Sequence, residues 1–239
     1  MQGTLCHPPA PSTRYRAPFL TRKPAGVPVR RLSFLLLATV VSSSAHAQIV
    51  RSRFPTQEPP AWVSGGVAFQ QGWTVTDGTT GSTWSFGNAM PWQASLERSI
   101  NGGTTVGIRG TTGMVPLTYR GPLGVAQADA NVSQLFGTFR VSSGREFHTI
   151  LEVSAGTTLY SNFRERGTGA KLGPASNDAD FTFVFGYGFG YAFSPRFSID
   201  VVQDINTAWH QKDGLQAGDD SSTRIHGTRV VGRLGLGGR

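Results

Sequence analysis

Seven charged residues sit at alternating positions in otherwise apolar stretches: Glu97, Arg109, Glu152, Asp200, Asp204, Arg229 and Arg233. Charges withdrawn from water are costly unless paired, so the chemistry these residues suit is ion pairing. Asp200 and Asp204 share one segment, Arg229 and Arg233 the next, and Glu97 and Arg109 stand on consecutive segments. Other residue types offer less. Ser161 is a candidate nucleophile in Leu159-Tyr160-Ser161-Asn162, but no imidazole stands beside it to take its proton. His148, His210 and His226 are not at metal-ligand spacing with one another or with an acidic cluster. Asp219-Asp220 suggests only a weak, solvated cation contact. The glycines around 186–190 alternate singly and open no helix, so no phosphate-cradling loop is present. These residues point to no metal site and no cofactor.

The elements that must position these charges are strands. Phe181, Phe183, Phe185, Tyr187, Phe189, Tyr191 and Phe193 alternate with Thr182, Val184, Gly186, Gly188, Gly190 and Ala192. Strict period-2 alternation is the signature of a strand with two unlike faces. A face of seven rings suits lipid, because a membrane barrel turns apolar side chains outward and alternates them with lumen residues. Similar segments recur at about 61–75, 84–100, 104–119, 125–141, 146–160, 196–209 and 224–238. Asp77-Gly78, Asn101-Gly102, Ser143-Gly144 and Ser194-Pro195 mark turns between them. Short connections after the second, fourth and sixth segments alternate with longer ones, notably 161–180 and 210–223, as in outer-membrane barrels. The seven rings are therefore expected to face lipid. The seven charges are expected to face a narrow lumen, with Glu97 near Arg109 and with glycines 186–190 leaving room for arginines. Three local expectations accompany this assignment. Trp73, Val75, Trp84 and Phe86 share the outward parity. A bulge or break falls near Met114–Pro116, where Val115, Leu117 and Tyr119 change parity relative to Val106 and Ile108. Trp73, Trp84, Trp92 and Trp209 form aromatic girdles. The 81–103 region is also long enough to hide a hairpin, which would make ten strands.

Composition places the chain in an envelope rather than on nucleic acid. Of 22 basic residues, Arg14, Arg16, Arg22, Lys23, Arg30 and Arg31 lie in residues 1–47, which hold no acid; the remainder carries 16 basic against 14 acidic residues. A near-neutral domain gives no electrostatic footprint for nucleic acid. Arg30-Arg31, the apolar run 32–41 and Ala45-His46-Ala47 read as a secretory signal cleaved after Ala47. Residues 1–29 are long and Pro-rich for such a signal, and a start at Val27 or Val29 would give an ordinary one. Cys6, the only cysteine, precedes the cleavage site, so the mature chain has no disulfide. The expected organisation is a signal at 1–47, a periplasmic tail at 48–60 and a barrel at 61–239. The expected fold class is all-β: a closed antiparallel up-and-down transmembrane β-barrel of about eight strands.

The eight alternating segments, the run Gly-Tyr-Gly-Phe-Gly-Tyr-Ala-Phe-Ser-Pro at 186–195 and the ending Gly-Arg-Leu-Gly-Leu-Gly-Gly-Arg resemble the small outer-membrane barrels of the OmpA/OmpX/OmpW type. That resemblance spans roughly residues 60–239. It implies insertion by the outer-membrane assembly machinery and contact with outer-membrane lipid and lipopolysaccharide. The tetrapeptide 159–162 resembles the His-x-Ser-Asn segment of lipid A deacylases in three of four places, with Leu159 standing where the histidine belongs. The expectation is a monomeric, non-enzymatic outer-membrane protein with a structural or surface-interaction role, its lumen filled by salt bridges and its extracellular loops exposed to partners. A narrow passive channel, a lipid A-modifying enzyme and a soluble secreted barrel or sandwich are the alternatives.

Overall fold

The computed structural model describes residues 58–237, apart from 78, 79, 123, 174, 176 and 211–221. The signal at 1–47, most of the tail and most of the 210–223 connection lie outside the described residues. Ten strands follow in order: β1 Ala61–Gln70, β2 Trp73–Thr76, β3 Thr83–Phe86, β4 Trp92–Asn101, β5 Thr104–Gly121, β6 Gly124–Gly144, β7 Phe147–Glu165, β8 Asp178–Ser194, β9 Phe197–Trp209 and β10 Ser222–Leu236. Eight of them close a ring in the order β5-β4-β1-β10-β9-β8-β7-β6, with β6 returning to β5. Every pairing in the ring is antiparallel. The seam is β1 on β10, from Ala61 opposite Leu236 to Gln70 opposite Gly227. Closure leaves the ring no edge strand to pair with another chain.

The remaining two strands are an extension. β2 and β3 pair as a hairpin, and β3 continues onto β5 from Phe86 opposite Leu117 to Thr83 opposite Arg120. They prolong β1 and β4 past short interruptions, so the extra hairpin lengthens the wall without adding to the ring. The end of the barrel that carries Ala61 and Leu236 is termed the terminal end, and the opposite one the loop end.

The two ends have opposite chemistry. Toward the terminal end the outer face carries Leu96, Ile108, Leu135, Phe139, Leu151 and Leu234, all exposed, and the seven rings of β8 also point outward, Phe185 half-buried and the others exposed. The inner face there carries the charged residues, interspersed with buried Phe136, Ile150, Val184, Val202 and Val231. Toward the loop end the arrangement inverts. Trp73, Val75, Trp84, Phe86, Val115, Leu117, Ala128, Ala130, Val132, Tyr160 and Phe163 form a buried apolar core inside the wall. Thr74, Thr118, Gln127, Asn131 and Arg164 occupy the outer face at that height, with Met114 and Val125 exposed among them. Trp73 stacks on Phe86 with centroids 4.6 Å apart, and Trp84 packs on Tyr119 at the same separation. Leu172 and Ala175 of the 166–177 connection join this core from above.

This inversion corrects three local expectations. Trp73, Val75, Trp84 and Phe86 are inside, because the chain leaves the strand at Gln71–Gly72 and again at 87–91, and each interruption shifts the phase of the side chains. Of the four tryptophans expected in girdles, Trp92 and Trp209 are exposed, at 70% and 41%, whereas Trp73 and Trp84 are core residues. The bulge near Met114–Pro116 is absent: β5 pairs with β6 in unbroken register from Thr104 to Gly121. Odd positions of β5 face inward throughout. What changes near Met114 is the interior they face, from polar to apolar. Pro116 is tolerated there because its backbone N and carbonyl face the interruption of the neighbouring strand and not β6, and its carbonyl still accepts from Gly87 N at 2.7 Å.

Candidate functional site

The inward positions of the terminal half bring all seven sequence-derived charges into one lumen. Glu97 on β4, Arg109 on β5, Glu152 on β7, Asp200 and Asp204 on β9, and Arg229 and Arg233 on β10 are each buried. Arg140 of β6 and His148 of β7 join them. Sequence reasoning missed these two. Arg140 keeps the parity of Val132, Gln134 and Phe136, so counting along β6 finds it once that parity is taken as inward.

The charges form two connected groups. In the central one, Glu152 Oε1 lies 2.8 Å from Arg109 Nη1 and 2.7 Å from Arg229 Nη2. Asp204 Oδ2 lies 2.9 Å from Arg229 Nε and 3.4 Å from Arg109 Nη1. The Arg109 contacts are hydrogen bonds; the Arg229 contacts are ion pairs by distance. In the group nearer the terminal end, Arg233 Nη2 donates to Glu97 Oε2 at 2.5 Å and Arg140 Nη2 to Asp200 Oδ2 at 2.5 Å. His148 Nε2 is 3.0 Å from Asp200 Oδ1. Thr105 and Ser95 hydroxyls donate to Glu97 at 2.7 and 2.9 Å. Glu97 therefore does not pair with Arg109, although their strands are neighbours. An eight-stranded interior is narrow, and a guanidinium reaches across it: Arg109 meets acids of β7 and β9, and Arg233 meets Glu97 two strands away.

The glycines of β8 shape this network. A Cβ on Gly186 would lie 2.8 Å from Asp204 Oδ1 and 3.4 Å from Arg229 Nη2. One on Gly190 would overlap Asp200 Oδ1 and lie 2.5 Å from His148 Nε2. Above the charges runs a belt of neutral hydrogen bonds. Thr111 donates to Gln134 at 2.9 Å, Gln134 to Thr158 at 3.2 Å, and Thr158 shares a 2.8 Å bond with Thr182. Higher still, His210 Nδ1 and Asp180 Oδ2 are 2.5 Å apart, both fully buried.

This closed ring matches solved folds. Neisserial surface protein A superposes with a TM-score of 0.51 at 12% identity, over 74% of this chain and 97% of that one. The outer membrane protein OprG from Pseudomonas aeruginosa gives 0.50 at 11% identity, over 75% and 95%. The chain folds as a small outer-membrane-type eight-stranded barrel. No protein-family model matches its sequence, and no curated protein matches it.

Within this outer-membrane-type barrel, the other candidate residues are dispersed. Ser161 lies on the outward side of β7, whereas His148 and His210 are buried inside the wall. His226 is exposed on β10. Among the described residues no group of three His, Cys, Asp or Glu side chains gathers as a metal site.

Proposed function

We propose that this chain is an outer-membrane protein with a structural or surface-interaction role, exported by the signal ending at Ala47 and standing as a monomer. The observation that carries the reading is the filled interior. Four arginines are matched by four carboxylates in mutual contact across the lumen, and an apolar core stands above them. An interior occupied in this way weighs against a passive channel. The apolar outer band, seven rings of β8 included, suits lipid hydrocarbon. The polar outer face above it suits the aqueous side, where the 166–177 connection would meet partners and lipopolysaccharide. Insertion would depend on the outer-membrane assembly machinery. Catalysis on lipid is not proposed, since Ser161 is separated by the wall from His148 and His210.

The test is membrane fractionation combined with heat-modifiable gel mobility, followed by planar-bilayer recording. The expected outcome is an outer-membrane protein whose unheated form migrates differently from the boiled form and which gives no conductance steps. A soluble protein with no mobility shift would sink the membrane reading. Steady conductance would favour the narrow channel. A change in lipid A mass on expression that disappears in Ser161→Ala would favour the enzyme.

A further inference from the structure

The outer face at the loop end holds a strained backbone that the lumen does not require. From His148 to Tyr160 the even positions of β7 face inward. At Asn162 the backbone turns left-handed, with a φ of 53°. Asn162 and Phe163 together stand opposite the single residue Ala130, which makes a β-bulge. The bulge reverses the parity, so that Phe163 enters the apolar core and Arg164 points outward. Unbroken alternation would drive Arg164 into that core. A positive φ outside glycine is uncommon and persists only where the surroundings hold it.

Arg164 is fixed there by neutral groups. Its Nε donates to Asn162 Oδ1 at 3.0 Å and its Nη1 to Gly169 O at 3.3 Å. These acceptors orient the guanidinium without cancelling its charge. Lys171 stands directly opposite Arg164 in an antiparallel bridge, so the two cations share one face, and both are exposed. Behind them, Leu172 N donates to Phe163 O at 3.1 Å, and both side chains are buried. Like charges placed directly opposite destabilise a strand pair, and the packing of Phe163 on Leu172 does not call for them. The acids nearby are engaged: Asp129 by Arg166 at 2.6 Å, and Glu165 by the Thr168 hydroxyl at 3.2 Å. Arg164 and Arg166 line an open cavity of about 440 Å³, to which Met114, 66% exposed, adds an apolar wall. Two opposed cations beside such a cavity point to an anion between them.

Height narrows the class of anion. Leu159, opposite Ser133, is the last exposed apolar residue of β7 before the bulge. Asp129, opposite Arg164, lies four residues beyond Ser133 along β6. That is about 13 Å along the strand, or about 10 Å in height at a tilt of about 40°. Ordinary phospholipid headgroups extend only about 5–7 Å beyond the hydrocarbon. The cations therefore stand above a phospholipid phosphate, among the sugars of a larger headgroup.

We propose that Arg164 and Lys171 bind an oxyanion of the sugar headgroup of an outer-leaflet glycolipid, lipopolysaccharide, with Met114 covering its apolar side. Charge-assisted hydrogen bonds of this kind are about twice as strong as neutral ones. The bulge at Asn162 then has a purpose, as the device that turns a cation from the core to the lipid. This assignment rests on the outer-membrane reading above and names the residues through which that surface meets its lipid.

The test uses the purified folded protein in detergent micelles, with fluorescent lipopolysaccharide binding followed by polarisation. Unlabelled lipopolysaccharide and phosphatidylglycerol serve as competitors. Saturable binding is expected, with lipopolysaccharide at least about tenfold more effective than phosphatidylglycerol. Replacing both cations, by Arg164→Gln with Lys171→Gln, should weaken binding about tenfold or more, the loss of hydrogen bonds to a charged group. Arg98→Gln removes an exposed cation at the terminal end and should leave binding unchanged. Lys171→Glu gives Arg164 an opposite charge; it should abolish binding with the temperature of the heat-modifiable mobility change undiminished. Equal binding by the variants at 164 and 171, equal competition by phosphatidylglycerol, or no saturable binding overturns the proposal. Membrane fractionation of the same protein judges the outer-membrane reading separately, so the two can fail independently.

Discussion

At the scale of single residues, the lumen rests on complementary shapes of charge and space. Glu152 stands between Arg109 and Arg229, so Glu152→Gln leaves two guanidinium groups with Asp204 alone. Breaking one partner of a buried network costs about 3–5 kcal/mol. We expect a lower denaturant midpoint for unfolding in detergent, by an amount in that range. Gly190→Ala attacks the same network from the other side, by pushing a methyl group into Asp200 and His148. Overpacking of this kind costs about 1–3 kcal/mol, and the same unfolding measurement should register it. Seven of the lumen charges could be picked out in the sequence because each interrupts a period-2 apolar pattern, whereas Arg140 and His148 were not. The partners of the seven were not legible either. Adjacency of strands suggested Glu97 with Arg109, but the length of an arginine side chain exceeds the spacing between neighbouring strands, and in a narrow barrel the opposite wall is equally within reach.

At the scale of the strand, alternation is sound and its interpretation changes with height. Along β6, Leu135, Phe139 and Val141 point outward near the terminal end, while Ala128, Ala130 and Val132 point inward near the loop end. Reading every apolar parity as outward therefore failed for the upper part of β5 and β6, although the strands themselves were placed correctly. In β1–β2 and β4–β3 a different cause operates: the interruptions at Gln71–Gly72 and 87–91 shift the phase, and no period-2 count can cross them. The two heights should respond oppositely to the same change. Tyr187→Arg places a cation in the outer apolar band and should cost about 2–4 kcal/mol. Gln127→Arg on the polar outer face should cost close to nothing. Heat-modifiable mobility at graded temperatures separates the two, with the Tyr187→Arg barrel lost first; equal behaviour would refute the inversion.

At the scale of the whole molecule, the fold depends on one seam. Gly66 lies opposite Val231, and a Cβ there would collide with the carbonyl of Val230 and lie 2.8 Å from Val231 Cα. At the adjacent Gly65 the nearest atom is Gln93 O at 4.0 Å. Gly66→Ala should therefore impair closure and shift the population toward the form that migrates like the boiled protein, whereas Gly65→Ala should not. The fold class and the eight-stranded ring were legible because hairpin turns and alternating segments recur along the chain. A ten-strand count was considered only from a hairpin hidden within 81–103; the hairpin β2–β3 spans 73–86 instead and is an extension, since β3 rests on β5 while the ring closes without it.

The inversion of the interior also has a mechanical meaning. Thr112 and Ser133 share a 2.9 Å hydrogen bond on the outer face, immediately above Leu135. Were the barrel to sink by one residue, about 3.3 Å along a strand, such hydroxyls would enter oil; were it to rise, the rings below would enter water. In the proposed membrane setting both displacements would be uphill, so the strands would act as a spring with its rest point at the colour change of their own outer surface. The chain carries its own waterline.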